Sequence, residues 1–174
     1  TKTGESPDLD IFSCSDIVAK IENMEMNMTS VVYVKNSDGE WEEYQRLHGE
    51  ENRIWVSLDK IPQTLIDAII SIEDERFYSH VGVDWKRTSS ALLNQFVKIY
   101  SSNQGGSTIT QQLIKNITGD NEQNFERKLR EIARALILER NLSKSQILEA
   151  YLNTISLGNG ICGVQVAANY YFNK

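Results

Sequence analysis

Glu73 has a position in the sequence that suggests chemistry. Leu65, Ile69, Glu73 and Phe77 recur at intervals of four, which places them on one face of a predicted helix. An isolated charge on an apolar face is energetically costly unless it is paired or hydrogen-bonded. A carboxylate in such a place can act as a general base or acid near neutral pH, although a glutamate at a helix end can also turn into solvent. Both interpretations stay open on spacing alone.

A basic run lies further along a chain that is otherwise acidic. Arg127, Lys128, Arg130 and Arg134 surround Glu131, in a chain whose formal net charge is -6. Such a local reversal of charge could receive a phosphate or a pyrophosphate. Taken alone, the pattern is more typical of a solvated helix face with ion pairs.

A polar loop precedes another predicted helix. Residues 105–112 read GGSTITQQ, and Thr108 with Gln111 carries the signature of a capping box. Free N–H groups at a helix start favour an anion, and Lys115 lies one turn after Gln111 on the same face. The spacing of a nucleotide-binding P-loop is absent, and an ordinary capped helix is an equally good interpretation.

His80 and Asp84 lie close together in a predicted loop. They could form a catalytic pair or ligate a metal ion. A loop histidine more often only hydrogen-bonds its own turn, and we favour that interpretation for His80.

The elements that must position these residues change in character along the chain. Residues 31–34 and 41–44 flank an Asn-Ser-Asp-Gly turn and predict a β-hairpin, and residues 54–56 predict another short strand. Pro62 suits a first helical position and opens the helical part. Further helices are expected over 88–100 and after Thr108, Asp120, Ser143 and the glycine-rich loop 158–163.

Composition limits the classes of function. A chain of 174 residues with 40% hydrophobic residues can bury the core of one domain, or of one domain with a small appendage. No apolar run approaches the roughly 20 residues of a membrane span. The pI of about 5.0 disfavours bulk nucleic-acid binding. No signal peptide is visible at Thr1, and residues 1–8 are expected to fray. The two cysteines, Cys14 and Cys162, lack the spacing of metal ligands.

Five motifs occur in order, and together they are far more specific than any one of them. They are EDERFYSHVG at 73–82, GGSTITQQLIKN at 105–116, RKLRE at 127–131, ILEAYLN at 147–153 and the stretch 163–172. The series resembles the peptidoglycan glycosyltransferase domain of class A penicillin-binding proteins and monofunctional transglycosylases, glycosyltransferase family 51. The resemblance covers roughly 61–172, with weaker similarity upstream.

The resemblance implies a mainly α fold, with a lysozyme-like helical catalytic lobe and a smaller membrane-apposed jaw. A short N-terminal β-hairpin would belong to a β-leaning appendage, residues 1–60. Residues 61–174 would be the glycosyltransferase domain, which we expect to be truncated at its C-terminal end. The apolar helix predicted over 88–100 would belong to the jaw and could touch lipid, or it could simply pack in the core.

The reaction that the resemblance implies is the polymerisation of lipid II into β-1,4 glycan strands, with inversion and release of undecaprenyl pyrophosphate. Glu73 would be the general base that deprotonates the acceptor 4-hydroxyl, and Glu131 would be a second catalytic glutamate on the donor side. Glu149 and Asn153 match a motif to which we assign a mostly structural role. The substrate-binding positions of the family correspond here to Ser107, Thr108, Gln111, Gln112, Lys115, Asn116, Arg127 and Lys128.

Partners and location follow from the same resemblance. Lipid II, the nascent glycan strand and a membrane surface would be partners, moenomycin an inhibitor, and nucleic acid no partner. The protein would serve peptidoglycan synthesis, cell-wall biogenesis and cell shape at the outer face of the bacterial cytoplasmic membrane, with its anchor outside this chain. No cofactor is certain. A divalent cation, Mg or Mn, could assist at the pyrophosphate, but no metal ligands can be read from the sequence.

One departure from the family pattern bears on the acceptor side. Ser90 stands where family members often carry an arginine. Arg87 is nearby and is the candidate to make the phosphate contacts of that arginine.

Two other functions stay open. One is a lysozyme-like muramidase with Glu73 as the acid of a carboxylate pair, for which a basic cluster would have no use. The other is a catalytically inert cell-wall-binding module, which the presence of both Glu73 and Glu131 disfavours.

Overall fold

The described part of the chain is mainly helical and carries one short antiparallel hairpin, which confirms the predicted fold class. The structure is a computed structural model that describes residues 16–21, 30–47, 54–89, 106–120 and 125–173. The predictions made for residues 1–8, Cys14, Ser90, Gly105, most of the helix over 88–100 and the helix start after Asp120 lie outside these ranges.

The predicted hairpin is confirmed. Strand β1 (Ser30–Lys35) pairs with strand β2 (Trp41–Leu47) in antiparallel register. The Asn36 side chain accepts hydrogen bonds from the backbone N–H groups of Asp38 and Glu40, at 3.0 and 2.9 Å. Gly39 supplies a φ of +81°, so the turn is determined by its own residues.

The helical part contains α1 (Gln63–Glu73), α2 (Ile109–Thr118), α3 (Phe125–Asn141), α4 (Lys144–Thr154) and α5 (Val164–Phe172). Short 3-10 turns cover Leu58–Lys60 and Phe77–Ser79. Residues 16–21 and 85–89 are also helical, so the helix predicted over 88–100 has its described start upstream of Thr88.

Capping boxes start α2 and α4, as predicted. At α2, the Thr108 N–H donates to Gln111 Oε1 at 2.9 Å and the Gln111 N–H donates to Thr108 Oγ1 at 3.2 Å. Ser143 and Gln146 make the same exchange at the start of α4. Each pair satisfies two N–H groups that have no partner within the helix.

The core is centred on α4. Its side chains Ile147, Leu148, Tyr151 and Leu152 have no exposed surface, and α2 packs against both α4 and α3. Phe77 joins the same core from its 3-10 turn.

The buried face of α1 differs from the prediction. Ile66 and Ile70 face the core, whereas Leu65 is 39% exposed and Ile69 is half-buried. The predicted stripe was therefore wrong by one residue, because spacing alone does not show which side of a short helix its neighbours cover. Glu73 consequently lies at the margin of the buried face and is half-exposed.

The short strand predicted around Trp55 is not formed. The Asn153 side chain instead accepts from the Val56 N–H and donates to the Val56 carbonyl, both at 2.8 Å. Glu149 accepts from Trp55 Nε1 at 3.0 Å and from the Leu58 N–H at 2.7 Å. Side chains of α4 thus replace the strand partner that this segment would need. The contacts confirm the structural role expected for Glu149 and Asn153.

Replacing Gly82 by alanine is expected to lower the free energy of unfolding by about 3 kcal/mol. Gly82 has a φ of +72°, and a Cβ there would lie 2.6 Å from the carbonyl oxygen of Ala135 on α3. Urea denaturation measures the loss. Gly119→Ala is the control, because Gly119 has a φ of +65° but no atom within 4 Å of the added Cβ, so about 1 kcal/mol is expected. Equal losses in the two variants would show that the close approach to α3 is unimportant.

Candidate active site

Glu73 is the last residue of α1, and its half-exposed carboxylate is accessible from solvent. Gln112 on α2 donates from Nε2 to Glu73 Oε2 at 2.8 Å. Arg87 donates from Nη1 to the backbone carbonyl of Glu73 at 2.5 Å and so holds the end of the helix. The contact at the carboxylate itself comes from a neutral amide. A carboxylate held in this way keeps its position and can still accept a proton.

Gln112 is held from its other side by Tyr151 of α4. The Tyr151 hydroxyl donates to Gln112 Oε1 at 3.1 Å. Burial and the negative charges of Glu73 and Asp74 raise the pKa of Tyr151, so its hydroxyl keeps its proton. Tyr151 was not among the predicted site residues. The sequence feature that could have pointed to it is a tyrosine within an apolar helix, because a buried tyrosine hydroxyl needs a polar side chain as its partner.

Asp74 ties the end of α1 to the start of α2. Its side chain is fully buried and accepts from the Ile109 N–H at 3.0 Å. His80 Nε2 lies 3.0 Å from each of the two Asp74 carboxylate oxygens. His80 therefore has the structural role that was favoured for it, although its partner is Asp74.

Asp84 does not pair with His80. Arg76 donates to Asp84 Oδ2 from Nη2 at 2.7 Å and from Nε at 2.8 Å, and the Arg87 N–H donates to Oδ1 at 3.1 Å. Burial of Asp84 raises its pKa, but these hydrogen bonds outweigh burial and hold the pKa below its ordinary value. The possibility of a catalytic or metal-binding His80–Asp84 pair is thus not supported.

Glu131 on α3 is at the centre of a cluster of charged and polar side chains. It is 5% exposed, and its two oxygens pair with Arg127, at 2.5 Å, and with Lys128. Lys128 Nζ also donates to Ser107 Oγ at 2.9 Å and so links α3 to the segment that precedes α2. The structure therefore brings together Ser107, Arg127, Lys128 and Glu131, all of them predicted site residues. A solvated helix face does not describe this cluster, because its carboxylate is buried.

A small cleft between α2 and α3 opens beside this cluster. Lys115, Arg127, Glu131 and Arg134 contribute its charged lining, together with Asp120. Arg134 was not among the predicted site residues, although it follows Glu131 by three positions and shares its helix face. Asn116 is half-buried on α2 and does not line the cleft.

Thr108 and Gln111 lie inside the protein, contrary to the prediction that they bind substrate directly. Neither has exposed surface. Thr108 Oγ1 donates to the Gly82 carbonyl at 2.6 Å, and the Gln111 side chain completes the capping box. Their place in the structure is to hold the start of α2.

Helix α2 connects the Glu73 carboxylate to the cationic cleft beside the Glu131 cluster. Gln112 contacts Glu73, and Lys115, one turn further along, lines the cationic cleft. The arrangement combines a solvent-accessible carboxylate with a separate group of cations. Such a pair of sites can remove a proton at one place and stabilise negative charge at another.

The described residues do not form a metal site of their own. No group of three or more His, Cys, Asp or Glu side chains gathers within the described ranges. Both oxygens of Glu131 are engaged by cations, and Asp120 lies 3.5 Å from Arg130. No carboxylate in the cleft is thus placed to hold a divalent cation by itself.

Within the same ranges, no helix has both the length and the apolar character needed to cross a bilayer.

Comparison with known proteins gives consistent matches. Residues 40–174 match the family described as transglycosylase. Penicillin-binding protein 1F of Bacillus subtilis is 45% identical over 124 residues, covering 71% of this chain and 17% of the relative. Penicillin-binding protein 1A of Clostridium botulinum is 50% identical over 127 residues, covering 71% of this chain and 15% of the relative. Penicillin-binding protein 1A of Clostridium perfringens is 40% identical over 172 residues, covering 97% of this chain and 23% of the relative. The chain thus spans less than a quarter of the length of these relatives.

Proposed function

The chain belongs to the transglycosylase family, and on that premise we propose that it is a peptidoglycan glycosyltransferase. It polymerises lipid II into β-1,4 glycan strands with inversion and releases undecaprenyl pyrophosphate. One observation carries the proposal. Helix α2 joins a half-exposed carboxylate, Glu73, to a separate cationic cleft on α3.

In the proposed reaction, Glu73 accepts the proton of the acceptor sugar's 4-hydroxyl while that oxygen attacks the anomeric carbon of the donor. The bond from the anomeric carbon to the pyrophosphate oxygen breaks, and its electron pair leaves with the pyrophosphate. A single displacement of this kind inverts the α-linked donor to a β-linkage. Glu73 later returns its proton to solvent, which its partial exposure allows.

The cationic cleft supports the leaving-group half of the proposal. Negative charge develops on the pyrophosphate as the bond breaks, and fixed cations stabilise that charge. Arg127, Lys128 and Lys115 serve this purpose, while Glu131 holds the first two in place. Arg134 adds a further cation to the same cleft.

The muramidase alternative needs a second carboxylate beside the substrate, about 5 to 10 Å from the first. Asp74 is adjacent to Glu73 in sequence, but it is fully buried and engaged with His80 and Ile109. A hydrolase of neutral glycosidic bonds would also have no use for the cationic cleft. Glycosyl transfer is therefore the better supported function.

A lipid-linked substrate makes a membrane surface part of the proposal. We place the protein's work at the outer face of the bacterial cytoplasmic membrane and expect moenomycin to inhibit it. Arg87 lies in the helical segment 85–89, is half-buried, and contacts the last carbonyl of α1 through its side chain. We propose that it makes the acceptor-side phosphate contacts of the arginine that family members often carry at the position of Ser90. A divalent cation is given no step, because the cleft carboxylates are already engaged.

The test of the proposed function is a gel assay of this chain with labelled lipid II in detergent. Ladders of glycan strands are expected. Incubation with preformed strands tests the muramidase alternative, since a hydrolase would shorten them. A folded chain that gives no ladders and does not bind moenomycin would contradict the proposal and favour an inert module.

Lys128→Ala is expected to weaken the binding of a pyrophosphate-bearing lipid by roughly tenfold, because one cation of the Glu131 cluster beside the cleft is lost. Titration calorimetry in detergent measures the affinity. Arg140→Ala is the matched control, since it removes one exposed positive charge from the far end of the same helix. Unchanged affinity in Lys128→Ala would count against the cleft as the pyrophosphate site.

A further inference from the structure

The hydroxyl of Tyr151 lies directly behind the contact between Gln112 and Glu73. Tyr151 has no exposed surface, and its ring is part of the core. Its hydroxyl donates to Gln112 Oε1 at 3.1 Å, and Gln112 Nε2 donates to Glu73 Oε2 at 2.8 Å. The three side chains come from α4, α2 and α1, and they form one continuous chain of hydrogen bonds that ends on the catalytic carboxylate.

The chemistry of the three groups decides which of them donates and which accepts in each hydrogen bond of this series. A glutamine amide offers a donor at one end and an acceptor at the other, so its neighbours decide which end faces the carboxylate. With a hydroxyl donating to Oε1, the Nε2 group is left to face Glu73, whereas the flipped amide would place two acceptors together. Hydrogen bonds in series also polarise one another, so the hydroxyl strengthens the amide as a donor.

The Tyr151 hydroxyl can donate to Gln112 only while it keeps its proton. Burial raises the pKa of Tyr151, and the nearby charges of Glu73 and Asp74 raise it further. Other charged groups also face this end of α1. Arg87 contacts the Glu73 carbonyl, and His80 pairs with Asp74. The contact at the Glu73 carboxylate itself comes from Gln112.

Resting on the proposed function, we propose that Tyr151 is a positioning residue for the catalytic base. Through Gln112 it holds the Glu73 carboxylate in the orientation that accepts the proton of the acceptor hydroxyl. The competing explanation is that Gln112 merely satisfies a buried hydroxyl, in which case catalysis would not depend on it.

The test is Tyr151→Phe, which removes the hydroxyl and keeps the ring. We expect kcat to fall about three- to tenfold with KM unchanged, the effect of one neutral hydrogen bond. The acidic limb of the pH profile of kcat should move to higher pH, because the ionised carboxylate loses support from its donor. Unchanged kcat and an unmoved acidic limb would overturn the proposal.

Thr154→Val is the matched control. Thr154 is also a buried hydroxyl residue of α4, but its Oγ1 donates to backbone carbonyls of its own helix, those of Ala150 at 2.8 Å and of Tyr151 at 3.3 Å, and not to the Gln112 side chain. This variant should leave kcat and its pH profile unchanged. In a Gln112→Met background, Tyr151→Phe should cause no further loss of kcat, because the connection to Glu73 is already broken. Additive losses would contradict a route through Gln112.

A second variant keeps the test decisive if Tyr151→Phe does not fold. Tyr151→3-fluorotyrosine retains the side chain but makes its hydroxyl a stronger donor, so the acidic limb should move to lower pH. No movement would overturn the proposal.

Failure of the proposed function would be distinguishable from failure of this inference. A wild-type chain that makes no glycan ladders contradicts the proposed function. The carboxylate of Glu73 can still be followed by ¹³C NMR titration, with Glu73→Gln assigning its signal. If Tyr151→Phe does not raise the titration midpoint, the positioning role is wrong whatever the activity.

Discussion

Glu73→Gln is expected to lower the rate of glycan polymerisation by about 10²- to 10⁴-fold, because an amide cannot accept the proton of the attacking hydroxyl. The fold should be retained. Glutamine has the shape of glutamate, and the Gln112 Nε2 donor can bond its amide oxygen as it bonds Glu73 Oε2 at 2.8 Å. The Glu73 side chain is half-exposed, so its replacement removes no deeply buried charge. Gel quantification of strands from labelled lipid II measures the loss.

Glu75→Gln is the matched control for this substitution. Glu75 lies two residues further along the chain and its side chain is exposed, so activity should stay at the wild-type level. Thermal unfolding of both variants should coincide with that of the wild type. Normal polymerisation by Glu73→Gln would remove Glu73 from the mechanism.

Asp74→Ala is expected to lower the free energy of unfolding by about 3 kcal/mol, because it leaves buried polar groups without a partner. The Ile109 N–H would lose its acceptor at the start of α2, and the His80 ring would lose both carboxylate oxygens. Urea denaturation measures the change. Polymerisation should fall as well, since Asp74 ties together the helix ends that carry Glu73 and Gln112.

Two comparisons separate this effect from a general loss of charge. Glu75→Ala removes an exposed carboxylate one residue away and should change stability by no more than about 0.5 kcal/mol. Asp74→Asn keeps an acceptor for the Ile109 N–H and should lie between the two. Asp74→Ala with the stability of Glu75→Ala would show that this buried contact does not hold α1 to α2.

Local features of the fold could be predicted from the sequence because their determinants are neighbours in the chain. The Asn36 turn is held by hydrogen bonds from its own backbone to the Asn36 side chain, and the two strands beside it pair with each other through their backbones. The Thr108 and Ser143 capping boxes depend on a partner three residues away. The ordered motifs also predicted that Ser107 and Lys128 belong to one site, and the structure joins them at 2.9 Å.

Other features could not be predicted because they depend on contacts between distant parts of the chain. The exposed fraction of Glu73 follows from which face of α1 the other helices cover, and a four-residue spacing does not contain that information. The segment around Trp55 has its partners on α4, more than ninety residues away, so its local β-propensity was misleading.

By itself, the sequence determined most of the element types, the capping boxes of α2 and α4, the family, and four residues of the cluster around Glu131, namely Ser107, Arg127, Lys128 and Glu131. The tertiary structure decided which of those residues face solvent and which support them from inside. Thr108 and Gln111 are buried and hold the start of α2. Asp74 pairs with His80, and the Tyr151 hydroxyl donates to the Gln112 side chain. The physical reason is that a polar group's partner depends on how helices pack, and packing is settled by side chains far apart in the chain.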